Sequence, residues 1–247
     1  MRTIIGTRVD ATSYGSGTQL ILEWARAMES RYVCAATTHS LMEAHDDPRF
    51  REVLNQADLV TPDGMPLVWM LHLKGERHQE RVYGPTLMLH VLEAAAGECI
   101  PVGLYGSAPK VIQLLLRRLA SQFPNLKVAY TCSPPFHELT QREDEQIISD
   151  IAQSGVRILF VGLGCPKQER WMADHRGKIP AVMIGVGAAF DFHAGLKKQA
   201  PLWIQNLGME WFFRLINEPR RLWRRYLFHN PRFAVLAIAE LLGLRSD

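Results

Sequence analysis

Short apolar runs alternate with stretches of helical periodicity along most of the chain, and this alternation limits the fold more than any other feature. Strands are predicted at Thr3–Val9, Tyr32–Ala36, Val102–Tyr105, Lys127–Thr131, Arg157–Val161 and Ala181–Val186. The clearest helices are predicted at Gln19–Glu29, Thr86–Ala96, Pro109–Ser121, Arg142–Gln153 and Pro166–Arg176. In the third of these, Val111, Leu114, Leu115 and Leu119 share one face while Arg117, Arg118 and Gln122 turn away from it. Strand and helix in alternation imply an α/β fold, a parallel or mixed sheet covered on both faces. At 247 residues, with 47% hydrophobic and 21% charged side chains, the chain can bury a large core and leaves little room for disorder.

Two boundaries are expected. A polar loop, KGERHQER (74–81), separates a first part from the regular alternation, and an aromatic, arginine-rich helical tail begins after Ala200. The division is therefore a core over 1–200 and a C-terminal segment over 201–247. That segment carries seven arginines and no lysine against four acids, which accounts for the whole net charge of +3. It also holds Trp203, Trp211 and Trp223, half of the six tryptophans. Arginine interleaved with aromatics suits a phosphate-rich or membrane-surface partner. The balanced first 200 residues argue against a nucleic-acid module.

Cys34, Cys99, Cys132 and Cys165 form no CxxC pair and are read as reduced thiols. The start, MRTIIGTRVD, lacks the pattern of a secretory signal. The longest apolar stretch, Phe233–Leu244, has 12 residues and contains Glu240, too short to span a bilayer. The expectation is a cytoplasmic protein, peripheral on the inner face of the membrane, with self-association left open.

Ligands of α/β sheets bind at the carboxyl ends of the strands. Four loops there carry unusual chemistry: TPDG (61–64), GSAPK (106–110), GLGCPKQERW (162–171) and GVGAAFDFHAG (185–195). Neither Gly162–Gly164 nor Gly185–Gly187 continues into GxGxxG, and no GxxxxGK[ST] is present, so dinucleotide and P-loop readings are weak. The nine histidines contain no HExxH, and no Asp-x-Asp is available to hold a divalent cation on a diphosphate. No metal and no cofactor are expected. From the residues alone, Asp63 is either a turn former before Gly64 or a general base.

Six segments taken together carry a resemblance: PDGMPLVW (62–69), RVYGPTLM (81–88), LYGS (104–107), VGLGCPKQERWM (161–172), GVGAAFDFHAGLKKQAPLW (185–203) and GMEWFFRLINEPRRLWRRYL (208–227). In order and over residues 3–228 they resemble the bacterial WecG/TagA/CpsF glycosyltransferase family. The resemblance implies a Rossmann-like α/β core with a basic C-terminal appendage. It further implies inverting, metal-independent transfer of a sugar from a UDP-sugar to a polyprenyl-diphosphate-linked saccharide, in surface or exopolysaccharide synthesis.

On that resemblance Asp63 is the general base; Arg81, counted with it as catalytic, and Gln168 touch the sugar or its diphosphate, and Glu169 belongs to the donor pocket that GLGCPKQE helps to form. Gly106, Gly162, Gly164 and Gly187 belong to the turns of the donor pocket. Asp191 falls near the uridine, and Phe136 occupies the place of an aromatic that stacks on uracil. Arg214, Arg221 and Arg224 hold the diphosphate, since a guanidinium fork pairs with two phosphate oxygens. Relatives read V-x-T-x-N in the second strand, where this chain has Ala35 and Thr37, followed by His39. The departure leaves N-acetylmannosamine, its uronic acid and glucose open as the donor sugar. Two other classes compete: an NAD-type oxidoreductase, and a non-enzymatic binder of anionic lipid or nucleic acid.

Overall fold

The computed structural model describes residues 2–135 and 137–244, except for the side chains of Leu202, Asn206, Arg221 and Arg225. A two-stranded antiparallel hairpin, β1 (Arg2–Ile4) and β2 (Thr7–Val9), opens the chain. The sequence predicts one strand there. Ile5 and Gly6 break it with φ of 52° and 73°, and positive φ at a β-branched residue is not an expectation any propensity supplies.

The rest runs α1 (Tyr14–Arg26), β3 (Arg31–Ala36), α2 (Thr38–Asp46), α3 (Pro48–Asn55), β4 (Leu59–Pro62), α4 (Met65–Leu73), α5 (Gly84–Gly97), β5 (Val102–Gly106), α6 (Pro109–Gln122), β6 (Val128–Cys132), α7 (Gln141–Ser154), β7 (Ile158–Gly162), α8 (Lys167–Asp174) and β8 (Val182–Gly185). A short α9 (Ala189–His193) closes the core, and the tail adds α10 (Leu202–Asn206), α11 (Glu210–Asn217) and α12 (Pro219–Leu241). Helices α2, α3 and α4 are additions to the predicted set. Thr37 starts α2 as a capping box with Ser40, and Asp47 caps α3 ahead of Pro48. The segment PLVWMLHL in α4 is apolar nearly all round and has no amphipathic period to read.

Six strands form one parallel sheet in the order β4-β3-β8-β7-β5-β6. Side chains alternate between its faces: Ile158 and Phe160 of β7 join Ile21, Leu87, Leu115 and Phe190 on one side, and Leu159 and Val161 join Leu41, Phe50 and Met172 on the other. Strands on both sides of residues 74–81 lie in this one sheet, so that loop is not the boundary its composition suggests. The chain leaves β3 leftward to β4 and fills the right side later, which makes the β3/β8 junction the switch point of the topology. A crevice opens outside the carboxyl ends of the strands at such a point.

The tail helices fold back onto the core. Phe233 and Ala237 of α12 are buried in the cluster beneath the sheet. Asp46 of α2 receives both guanidinium nitrogens of Arg232 at 2.5 and 2.8 Å. Near the end of α12, Glu240 pairs with Lys74 and accepts the Ile5 N–H at 2.7 Å. Pro219 opens α12 at its first turn, as its missing N–H allows.

Candidate active site

Strand β4 delivers its last residue, Pro62, into a turn pinned across to β3: the N–H groups of Asp63 and Gly64 donate to the Ala36 carbonyl at 2.9 and 3.3 Å. This fixes the Asp63 side chain in a buried position below the crevice. Its Oδ2 accepts the N–H of Gly84, the first residue of α5, at 3.1 Å, and its Oδ1 accepts Arg81 Nη2 at 3.1 Å. Arg81 Nε also donates to the Asp63 carbonyl. The same Nη2 lies 2.7 Å from Glu210 on α11, whose other oxygen accepts the Tyr83 hydroxyl at 3.0 Å. The Arg81 guanidinium sits over the Tyr83 ring, 4.1 Å from its centroid.

Burial raises the Asp63 carboxyl above its ordinary value, Arg81 opposes the shift, and Glu210 adds to it. Burial also works against the charge of Arg81, but Asp63 and Glu210 together outweigh it, so that guanidinium stays protonated. Arg214 is likewise desolvated, yet it stays charged, with Glu210 and Asp63 as the negative groups that support it. Two carboxylates and two guanidiniums thus meet in a site that excludes water from most of them.

The opposite wall is built on Gln168, the second residue of α8. Its Oε1 accepts the N–H of Gly164 at 3.2 Å and of Gly187 at 3.0 Å, tying the loops after β7 and β8 together, while its Nε2 donates to Glu169 at 2.9 Å. A Cβ on Gly185 would stand 3.0 Å from Gln168 Nε2 and 2.9 Å from Met172 Cε, so the glycine leaves the space that the ends of these two side chains occupy. Between the walls lies a cleft of about 290 Å³ at the switch point.

Asp63, Arg81, Thr37, His39, Gly164, Gln168, Glu169, Gly187 and Arg214 all line this one cleft. Gly106, Gly162, Asp191 and Arg224, also expected from sequence, are elsewhere. Gly106 and Gly162 face each other across β5 and β7, so close that a Cβ on Gly106 would stand 2.6 Å from the Gly162 carbonyl carbon. They are strand-packing glycines outside the cleft lining. Asp191 pairs with Lys197 at 3.3 Å, and Lys197 reaches Glu218 at the start of α12 at 3.3 Å, a tie between core and tail rather than a cleft wall. Arg224 is exposed, 5.2 Å from the Trp223 ring centroid, and lies outside the lining. Phe136 and the Arg221 side chain lie outside the described residues.

Sequence reasoning passed over Glu210, Tyr83, Trp211 and His229, which also line the cleft. Glu210 had one signal: it precedes Arg214 by one helical turn, which puts both on one face of α11.

A doubly wound α/β sheet with a buried, arginine-braced carboxylate in the cleft at its switch point is the frame of an α/β enzyme. The chain belongs to the Glycosyl transferase WecG/TagA/CpsF family, which it matches over residues 2–247. It is 32% identical over 195 residues to the N-acetylglucosaminyldiphosphoundecaprenol N-acetyl-beta-D-mannosaminyltransferase of Bacillus subtilis, covering 78% of this chain and 73% of that one. It is 32% identical over 197 residues to the enzyme of the same name from Bacillus spizizenii, covering 79% and 74%. The protein is a glycosyltransferase, and the oxidoreductase and non-enzymatic alternatives fall.

Proposed function

We propose that the protein moves a sugar, with inversion, from a UDP-sugar to a saccharide carried on polyprenyl diphosphate, using Asp63 as general base and arginine in place of a divalent metal. The observation that carries this reading is the Asp63 carboxylate, buried at the cleft and fixed by Gly84 and Arg81. Each of its oxygens accepts one hydrogen bond and keeps a further lone pair for a proton. The acceptor hydroxyl attacks the anomeric carbon, its proton passes to Asp63, and the bond from that carbon to the diphosphate oxygen breaks, releasing UDP. A single displacement of this kind inverts the anomeric centre. Negative charge grows on the departing diphosphate, and Arg214, a tail cation that lines the cleft, meets it.

The names of the two relatives make N-acetylmannosamine the first donor to test and N-acetylglucosaminyl diphosphoundecaprenol the first acceptor. Ala35 and Thr37 line the cleft where the sugar would lie, and they keep its uronic acid and glucose in the comparison.

A lipid-linked acceptor requires the cleft to reach a membrane surface. No described helix is long and apolar enough to cross a membrane. The tail instead exposes Trp203, Leu207, Phe212, Ile216, Trp223 and Phe228, with Arg224 beside Trp223. This pattern supports peripheral docking on the anionic inner face.

The test is UDP release and product formation from a panel of UDP-sugars, with N-acetylglucosaminyl diphosphoundecaprenol as acceptor. Transfer from one member of the panel, with a β-linked product, is expected. Failure of every UDP-sugar with the lipid acceptor overturns the reading.

A further inference from the structure

The sequence offers no zinc motif, but the fold assembles three metal-ligating side chains from two distant segments. His39 and Glu43 stand one turn apart on α2, and His229 reaches them from α12. His39 Nδ1 lies 3.6 Å and His229 Nε2 3.8 Å from the same Glu43 oxygen. One ligand atom from each residue falls within 4.8 Å of the other two. A tetrahedral zinc site with bonds of about 2.0–2.1 Å sets its ligand atoms ~3.3 Å apart. The contacts of His39 and His229 to Glu43, at 3.6 and 3.8 Å, lie close to that spacing and within reach of side-chain rotation.

The surroundings hold that geometry. One turn further along both helices, Arg232 of α12 binds Asp46 of α2 through two hydrogen bonds, so the helices are already in register beside the cluster. The two imidazoles meet edge to face, with centroids 5.1 Å apart. All three side chains are partly buried, at 15, 35 and 17% exposure, which leaves a path for an ion and for water as a further ligand. His39 and His229 also line the cleft.

From this geometry we infer a binding site for a zinc-class divalent ion, held by His39, Glu43 and His229, that clasps the tail helix α12 to the core at the rim of the cleft. Two imidazoles and one carboxylate select zinc and its neighbours over magnesium or calcium, which favour all-oxygen shells. The ion joins the two parts of the chain that must stay together for Glu210 and Arg214 to face Asp63. It takes no part in balancing the leaving diphosphate, so this inference is independent of the chemistry proposed above.

The experiment uses the full chain, stripped with chelator, dialysed, and titrated with Zn²⁺ by calorimetry. One zinc per chain is expected. Glu43→Gln and His229→Ala, each checked for folding by circular dichroism, should weaken binding at least about tenfold. Zinc should raise the Tm of the wild type and not of the variants, and magnesium at the same concentration should leave it unchanged. Co²⁺ in the site should show d–d bands without thiolate charge transfer, which separates it from binding at the exposed Cys99. Absence of saturable zinc binding, binding unaltered in both variants, or a thiolate spectrum would each overturn the assignment.

Discussion

The guanidinium of Arg81 serves two carboxylates at once, 3.1 Å from Asp63 of the core and 2.7 Å from Glu210 of the tail. The residue proposed as the base is therefore wired to a helix far along the chain. Glu210 draws on the cation that would otherwise neutralise Asp63, and its own negative charge discourages ionisation of Asp63 further.

The active form of a general base is the carboxylate, so kcat/KM should fall as pH drops through the Asp63 pKa, and that pKa is raised by burial with Glu210 contributing. Glu210→Gln removes one negative neighbour and leaves Arg81 to Asp63, so the acid limb of the kcat/KM profile should move to lower pH. A limb that stays in place would show that Glu210 is only a tail anchor, and one that moves upward would contradict the sign of its coupling to Asp63.

Asp63→Asn keeps the size of the side chain and an oxygen for Arg81 or Gly84, but it cannot take the acceptor proton. Turnover should fall by on the order of 10² to 10⁴ with saturating acceptor, while donor affinity changes little. Wild-type turnover in the purified variant would remove Asp63 from the mechanism.

Gly106 and Gly162 make a stability prediction in place of a binding one. Gly106 has φ of +120°, and a Cβ there collides with the Gly162 backbone; a Cβ on Gly162 would stand 2.7 Å from the Phe190 ring. Either alanine variant should cost roughly 1–3 kcal/mol, and for a chain of this size each kcal/mol lowers Tm by about 2–4 °C. An unchanged Tm with weakened donor binding would return these glycines to the site.

Those two positions mark the limit of what the chain discloses by itself. Five of the six sheet strands were readable because each is a short apolar run flanked by turn residues, whereas β4 is only four residues long and ends in Thr61 and Pro62; the motifs after β4, β7 and β8 fell on the cleft. A glycine required by a neighbouring strand looks the same in sequence as a glycine required by a ligand. Contacts between distant segments leave still less trace: nothing local to GMEWFF announces that Glu210 meets Arg81, and nothing near His229 points to Glu43. Even the interruption of the first strand turns on Ile5, whose residue type argues against the conformation it adopts.

Catalysis should need no added magnesium or manganese. Arg81 and Arg214 are held charged at the cleft, and the chain has no Asp-x-Asp to place a metal on a diphosphate. The measurement is UDP release in EDTA with and without either ion. Activity lost in EDTA and restored by magnesium or manganese would contradict this. A response to zinc alone would instead report on the clasp between α2 and α12.

The tail supplies the last prediction. Phe233 and Ala237 are buried in the core cluster, so cutting the chain after Ala200 would uncover apolar surface as well as remove cations, and point variants separate the two effects. Arg214→Ala removes a desolvated cation from the cleft and should raise the donor KM or lower kcat, with little change in vesicle binding. Arg224→Ala with Arg221→Ala tests the opposite case. Arg224 is exposed beside Trp223, so the pair should weaken sedimentation with anionic vesicles and slow transfer to the lipid-linked acceptor more than hydrolysis of the donor in its absence. Equal losses in both reactions would place these arginines on the diphosphate rather than the membrane. No loss in either would leave Arg214 as the tail cation that catalysis uses.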